Sequence, residues 1–90
     1  MSDKFQIAET ESFQKLICSN RYKNLYEKIR NYVYPQLRSN PFFGPNIKKL
    51  KGKLEDYYRY RIGKYRLFYM VDEEKVIVFI VTIKDRNDAY

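Results

Sequence analysis

A hairpin with one favourable register constrains this chain more than any other feature. Tyr58, Arg59, Tyr60, Arg61 and Ile62, and then Tyr65, Arg66, Leu67, Phe68 and Tyr69, alternate with the period of two that paired strands require. Only Gly63 and Lys64 separate the two runs. A two-residue loop with glycine first predicts a type II′ turn, because glycine alone takes the positive φ there without steric cost. That turn puts Ile62 opposite Tyr65, Arg61 opposite Arg66 and Arg59 opposite Phe68. Arg59, Arg61 and Arg66 then share one face, and Tyr58, Tyr60, Ile62, Tyr65 and Leu67 share the other. Like charges directly across a strand pair are unfavourable. A sheet that accepts them is expected to meet something strongly anionic, and the guanidinium fork suits phosphate. The competing reading is a solvated face, with Glu55 and Asp56 near enough to pair with some of the cations. Clustering argues against it, since residues 46–66 hold eight basic residues against those two acids, six of the chain's seven net positive charges.

Ninety residues suffice for one domain, residues 1–90, with one core. Ten tyrosines and six phenylalanines supply it, while tryptophan and histidine are absent. Without histidine the usual general base near neutral pH and the commonest metal ligand are both missing. No zinc site and no cofactor are expected. Cys18, within a helical stripe of Phe13, Leu16 and Ile17, reads as a small buried hydrophobe, and a single cysteine allows no intrachain disulfide. The N-terminus lacks the pattern of a signal peptide, and the apolar run from Val76 to Ile83 is only strand-sized. No membrane association and a cytoplasmic location are therefore expected.

Along the chain, Lys4 to Ala8 alternates like a short strand. A first helix begins at Thr10, whose hydroxyl can cap it, and runs to about Asn20. A second, from about Arg21, carries Tyr22, Leu25, Tyr26, Ile29, Tyr32 and Val33 at helical spacing, which predicts a broad buried face. Pro35 leaves two outcomes: a kink there, or a stop near Val33 followed by a last turn through Leu37. Residues 39–46 form a loop dense in turn residues, with Phe42 and Phe43 as plugs for one end of the core. The hairpin strands cover about Asp56 to Ile62 and Tyr65 to Val71. A last strand from Val76 to about Ile83 is apolar on both faces, which makes it central or covered on both sides. The tail that follows, IKDRNDAY, adds the positive charges of Lys84 and Arg86 beside Tyr90.

The order strand, helix, helix, three strands, with N-P-x-x-G before K-L-K-G, a Y-R-Y-R strand, G-K-Y-R-L-F-Y and a terminal R-x-x-x-Y, resembles the RelE family of toxins from prokaryotic toxin–antitoxin systems. The resemblance covers nearly the whole chain. It implies an α+β fold of order β-α-α-β-β-β, with two N-terminal helices packed on a mainly antiparallel sheet that exposes a basic cleft. It further implies metal-independent endoribonuclease activity on mRNA in the ribosomal A site, inhibiting translation, and restraint by a RelB-like antitoxin; a heterotetramer with the antitoxin is one assembly it allows. Arg59 and Arg61 match basic positions of the family's second strand, Arg66 the arginine of its G-x-R-L-x-Y segment, and Arg86 and Tyr90 its terminal arginine and aromatic positions. Three departures stand out. Some members have lysine at the positions of Arg59 and Arg61, and arginine is a poor general base. Asp85 replaces the histidine of many relatives and adds a charge expected to repel RNA. The sequence stops at Tyr90, where some relatives continue into a helix.

The implied chemistry is attack by the RNA's own 2′-hydroxyl on the adjacent phosphate, which needs alignment, cations on the developing phosphorane and two proton transfers. Arg61, Arg66, Arg86 and Tyr90 are the candidate catalytic residues, with Arg61 and Arg66 on the phosphorane and Tyr90 in proton transfer or base stacking. Arg59 and Arg86 would position the backbone. Lys48, Lys49, Lys51, Lys53 and Lys84 join Arg59 as candidate RNA contacts, and the general base stays unassigned. Two other functions fit the same residues: a ParE-like gyrase poison, and an RNA-binding module without catalysis.

Overall fold

The computed structural model describes residues 4–52 and 56–85. A five-stranded sheet has the order β1-β5-β4-β3-β2, where β1 is Gln6–Glu9, β2 Ile47–Lys49, β3 Tyr58–Ile62, β4 Tyr65–Asp72 and β5 Ile77–Asp85. β1 runs parallel to β5 and the remaining pairs are antiparallel. The helices α1 (Glu11–Ile17), α2 (Lys23–Lys28) and α3 (Tyr34–Ser39), with the turn Ile29–Val33 that joins the last two, contribute Phe13, Ile17, Ile29, Val33, Tyr34 and Leu37 to a core completed by Tyr60, Ile62, Leu67, Tyr69, Val78, Ile80 and Ile83 of the sheet. The expected α+β class holds, with one strand more than expected. β2 is that strand, and the sequence had shown its residues only as lysines leading into the hairpin.

The second outcome, a stop near Val33, does not occur, and the helix passes Pro35 in an unforeseen form. α2 and α3 are continuous through a wider π turn, Ile29–Val33, in which the Tyr34 N–H donates to Ile29 O, five residues back. Proline would collide with the carbonyl of residue 31, and widening the turn ahead of it accommodates the ring without ending the helix. Tyr60 fastens this segment to the sheet by donating its hydroxyl to Gln36 Oε1 at 2.6 Å. Two expectations need correction, and the alternative for the last strand is decided. α1 ends at Ile17, short of Asn20, so Cys18 falls just past it and is exposed. Phe42 packs edge-on against Phe5 and Tyr58 as a plug, but Phe43 is 79% exposed. β5 is central, between β1 and β4, but only its helix-facing side is fully buried.

Gly63 has φ +58 while Lys64 does not adopt a positive φ, which is the type II′ geometry. The resulting pairs are those the turn dictates: Ile62 with Tyr65, Arg61 with Arg66, Arg59 with Phe68. At the turn before β5, Val76 takes φ +57, a region where β-branched residues rarely sit, and its carbonyl accepts the Gln6 N–H that opens the parallel pair.

β4 and β5 contain a bulge. Tyr69 pairs with Ile80 but Phe68 pairs with Thr82, so Val81 is the extra residue. Its effect is to reverse the facing of everything after it. In an unbroken ladder Ile83 would lie beside Arg66; with the bulge Ile83 enters the core and Lys84 lies beside Arg66. Thr10 holds the bulge: its N–H and its hydroxyl both donate to Ile80 O, at 3.1 and 2.9 Å, while the hydroxyl oxygen accepts the Phe13 N–H at 3.2 Å and caps α1. Thr10→Ala is expected to cost about 1 to 2 kcal/mol in a urea unfolding experiment, the upper part of the range for a helix cap, because one side chain serves both roles.

Candidate nucleic-acid interface

The face of the sheet opposite the helices carries two rows of side chains. One crosses three strands as Arg61, Arg66 and Lys84. The other runs Lys48, Arg59, Phe68 and Thr82 from β2 to β5. Facing residues in such a ladder have their Cβ atoms roughly 5 Å apart, so the five cations repel one another across the sheet. Phe68 is buried on this face yet lies outside the core cluster, which gives the rows an apolar floor. Arg59 Nε and Arg66 Nε are buried without a protein hydrogen-bond partner. Arg66 Nη1 instead turns back on its own hairpin, donating to Tyr65 O at 3.2 Å and Gly63 O at 3.4 Å. Buried donors without partners are costly. An anion seated between Arg59 and Arg66 would satisfy them.

Lys84, read from sequence as part of a tail, belongs to the central row because of the bulge. The same bulge turns Asp85 away from the arginines. Asp85 is buried on the helix side of β5, across from Tyr65, with its Oδ2 at 3.7 Å from Lys64 Nζ. The expected repulsion of RNA by Asp85 therefore does not arise on this face. Lys49 also departs from expectation: it pairs with Tyr58 on the core side of β2, and its ammonium sits 5.9 Å from the Tyr58 ring centroid. Lys51 lines a shallow depression with Lys49, Leu50, Gly52 and Asp56 beyond the end of β2. Lys53, Arg86 and Tyr90 lie outside the described residues, as does Glu55.

On the helix side, Glu9 Oε2 accepts the hydroxyls of both Tyr26 and Tyr34 at 2.7 Å. Burial, the hydrogen bond to Glu9 and the charge of Glu9 push Tyr26 up to about 12, against a weaker opposing effect of Arg30. The same causes raise Tyr34 further, again burial first, and burial followed by the neighbouring Tyr58 and Tyr60 raises Tyr69. Each folded phenol then holds its proton above the pH at which an unfolded tyrosine, near 10, releases it. Their stabilising contribution is complete below about pH 10 and is lost as pH climbs toward 12 and beyond. Tyrosinate absorbance should therefore show a late group of phenols that ionise only together with loss of near-ultraviolet circular dichroism.

No three His, Cys, Asp or Glu side chains among the described residues are grouped to hold a metal ion. No described helix is long and apolar enough to cross a membrane.

The fold, a sheet under a helical layer, is one that solved structures share. Residues 13–90 match the family described as the ParE toxin of type II toxin–antitoxin systems, parDE. The chain belongs to this toxin family, within the RelE/ParE superfamily. A Methanocaldococcus jannaschii protein provisionally named toxin RelE1 is 34% identical over 70 residues, 78% of this chain and 70% of that protein. The Escherichia coli RelBE toxin–antitoxin complex contains a chain similar at a TM-score of 0.63 and 26% identity, covering 90% of this chain and 95% of that one. The Mycobacterium tuberculosis RelBE2 complex has a chain of the same fold, at a TM-score of 0.71 and 21% identity over 92% of this chain and 99% of that one. The sequence resemblance to RelE is thus upheld at the level of superfamily and fold, and both branches, RelE and ParE, are represented among the matches.

Proposed function

We propose that this type II toxin is a metal-independent, ribosome-dependent endoribonuclease that cuts mRNA in the A site and so stops translation. The row Arg61, Arg66 and Lys84 is the observation that carries this reading. The 2′-hydroxyl oxygen attacks phosphorus, the bond from phosphorus to the 5′-oxygen breaks, and the products are a 2′,3′-cyclic phosphate and a 5′-hydroxyl. One proton leaves the 2′-oxygen and one reaches the 5′-oxygen. Arg61 and Arg66 neutralise the two negative charges that build on the phosphorane. Arg59 and Lys48, one pair further along the ladder, hold the neighbouring phosphate. Neither row contains a carboxylate, and the chain has no histidine. The site thus supplies charge stabilisation in excess of proton transfer, which fits a dependence on the ribosome to align the message, with Arg86 and Tyr90 as the remaining candidates on the protein for phosphate contact and proton transfer.

A RelB-like antitoxin is the partner this reading requires. An acidic, amphipathic segment complements the arginine face and lowers activity by covering or displacing groups there. The ParE name of the matching family favours a second reading, a poison of DNA gyrase. Parallel assays with one preparation separate them. A purified translation system should stop while gyrase supercoiling continues at its normal rate. Inhibited supercoiling with unaffected translation would transfer the chain to the gyrase branch, and arrested translation with intact message would leave an RNA-binding module without catalysis.

A further inference from the structure

The cationic face does not stop at the plane of the sheet. Pairing of β2 with β3 ends at Ile47 and Tyr60, and Asn46 O accepts the Arg61 N–H at 2.9 Å. Past that point the margin between β3 and the helical layer opens as a cleft lined by Lys28, Tyr32, Asn46 and Arg61. The cleft continues over the hairpin tip into a depression lined by Arg21, Lys28 and Lys64. The two share Lys28, Ile62 and Gly63 and form one furrow. Among the described residues, four cations line it and no carboxylate does, though Lys64 Nζ also lies 3.7 Å from Asp85 Oδ2. Tyr32 is 69% exposed, one helical turn on from Lys28.

A large ring left in water on the wall of a cationic furrow is an arrangement suited to single-stranded nucleic acid, where rings stack bases and cations follow the phosphates. The geometry points to a second RNA subsite: the strand leaving the arginine row at Arg61 crosses the hairpin tip with an unpaired base stacked on Tyr32 and its flanking phosphates on Lys28 and Lys64. This rests on the ribonuclease reading and extends it, since it gives the toxin a grip on message outside the cleaved step. Asn46 stands where a side-chain amide can reach the edge of the stacked base, which makes it the candidate for sequence preference. An acidic protein segment would meet the same charges. Docked helices, however, anchor apolar residues in an apolar groove, and this furrow presents cations, amides and a projecting phenol.

Fluorescence anisotropy of the full chain with an unstructured 2′-O-methyl RNA of about ten nucleotides, which resists cleavage, tests the subsite. Tyr32→Ala should weaken binding on the order of tenfold and Tyr32→Phe should bind like the wild type. Lys28→Gln with Lys64→Gln should flatten the dependence of log Kd on log salt by about one to two ions. If Tyr32→Ala binds like the wild type while Arg66→Ala binds weakly, RNA lies on the sheet alone, and the subsite fails while the ribonuclease reading survives. If neither variant weakens binding, the subsite fails, and the ribonuclease reading stands or falls on cleavage of ribosome-bound message. Tyr32-dependent binding of a glutamate-rich helical peptide, without Tyr32-dependent binding of RNA, would assign the furrow to a protein partner and overturn the subsite too.

Discussion

Arg66→Ala should slow single-turnover cleavage of ribosome-bound message by roughly 30- to 1000-fold, about 2 to 4 kcal/mol in the barrier, with no loss of fold stability. The size follows from its position. Arg66 is the middle member of the row, flanked by Arg61 and Lys84 on adjacent strands, so it lies nearest the charge that an anion on this face would develop. Its stability contribution should be nil or negative. Its guanidinium donates to carbonyls of its own turn, at 3.2 and 3.4 Å, and its removal relieves two cross-strand repulsions worth about 0.2 to 1 kcal/mol each. Thermal unfolding of the variant should therefore show an unchanged or slightly raised Tm. A residue kept for structure would do the opposite, lowering Tm and sparing the chemistry. Arg66→Lys should recover part of the rate, since an ammonium restores charge but not the fork.

Tyr69→Ala should cost at least 3 to 5 kcal/mol, and Tyr69→Phe about 1 to 3 kcal/mol. Tyr69 is wholly buried in the middle of β4, stacked at 5.5 Å and 13° on Tyr58. Its hydroxyl donates to the buried Pro41 O at 2.7 Å. That bond helps tie the loop after α3 to the sheet, beside the Arg61 N–H to Asn46 O bond, and the loop in turn delivers β2 with Lys48. The phenylalanine variant keeps the ring and leaves the Pro41 carbonyl unpaired in a dry place; the alanine variant adds a cavity. Domains of this size are stable by about 5 to 15 kcal/mol, so the alanine variant approaches the threshold of unfolding. Urea denaturation measures both, as a lowered midpoint with an unchanged slope for the phenylalanine variant.

What the sequence revealed and what it concealed have separate physical causes. The hairpin register was legible in full because Gly63 admits one turn type and the turn type fixes every later pair. The central place of β5 was legible from its continuous apolar run. The bulge at Val81 was not, although its trace was present: Val78 and Ile80, then Ile83 and Asp85, are the buried positions, and a strand that changes phase looks apolar on both faces. Missing that phase change put Asp85 on the wrong face and left Lys84 in the tail. β2 escaped notice because three residues, two of them lysines, carry no periodicity to detect. Tyr32 was counted among the buried helical positions, since i, i+3 and i+4 spacing identifies a stripe but not its edge, and the ring lies at that edge.

Primer extension on a defined message in a reconstituted translating system, with wild type and Arg66→Ala, with and without ribosomes, tests the central claim most directly. The account predicts a cut within the A-site codon by the wild type, only on the ribosome, that all but disappears in the variant. Intact message with a correctly folded wild-type toxin, or equal cleavage by the variant, would contradict it.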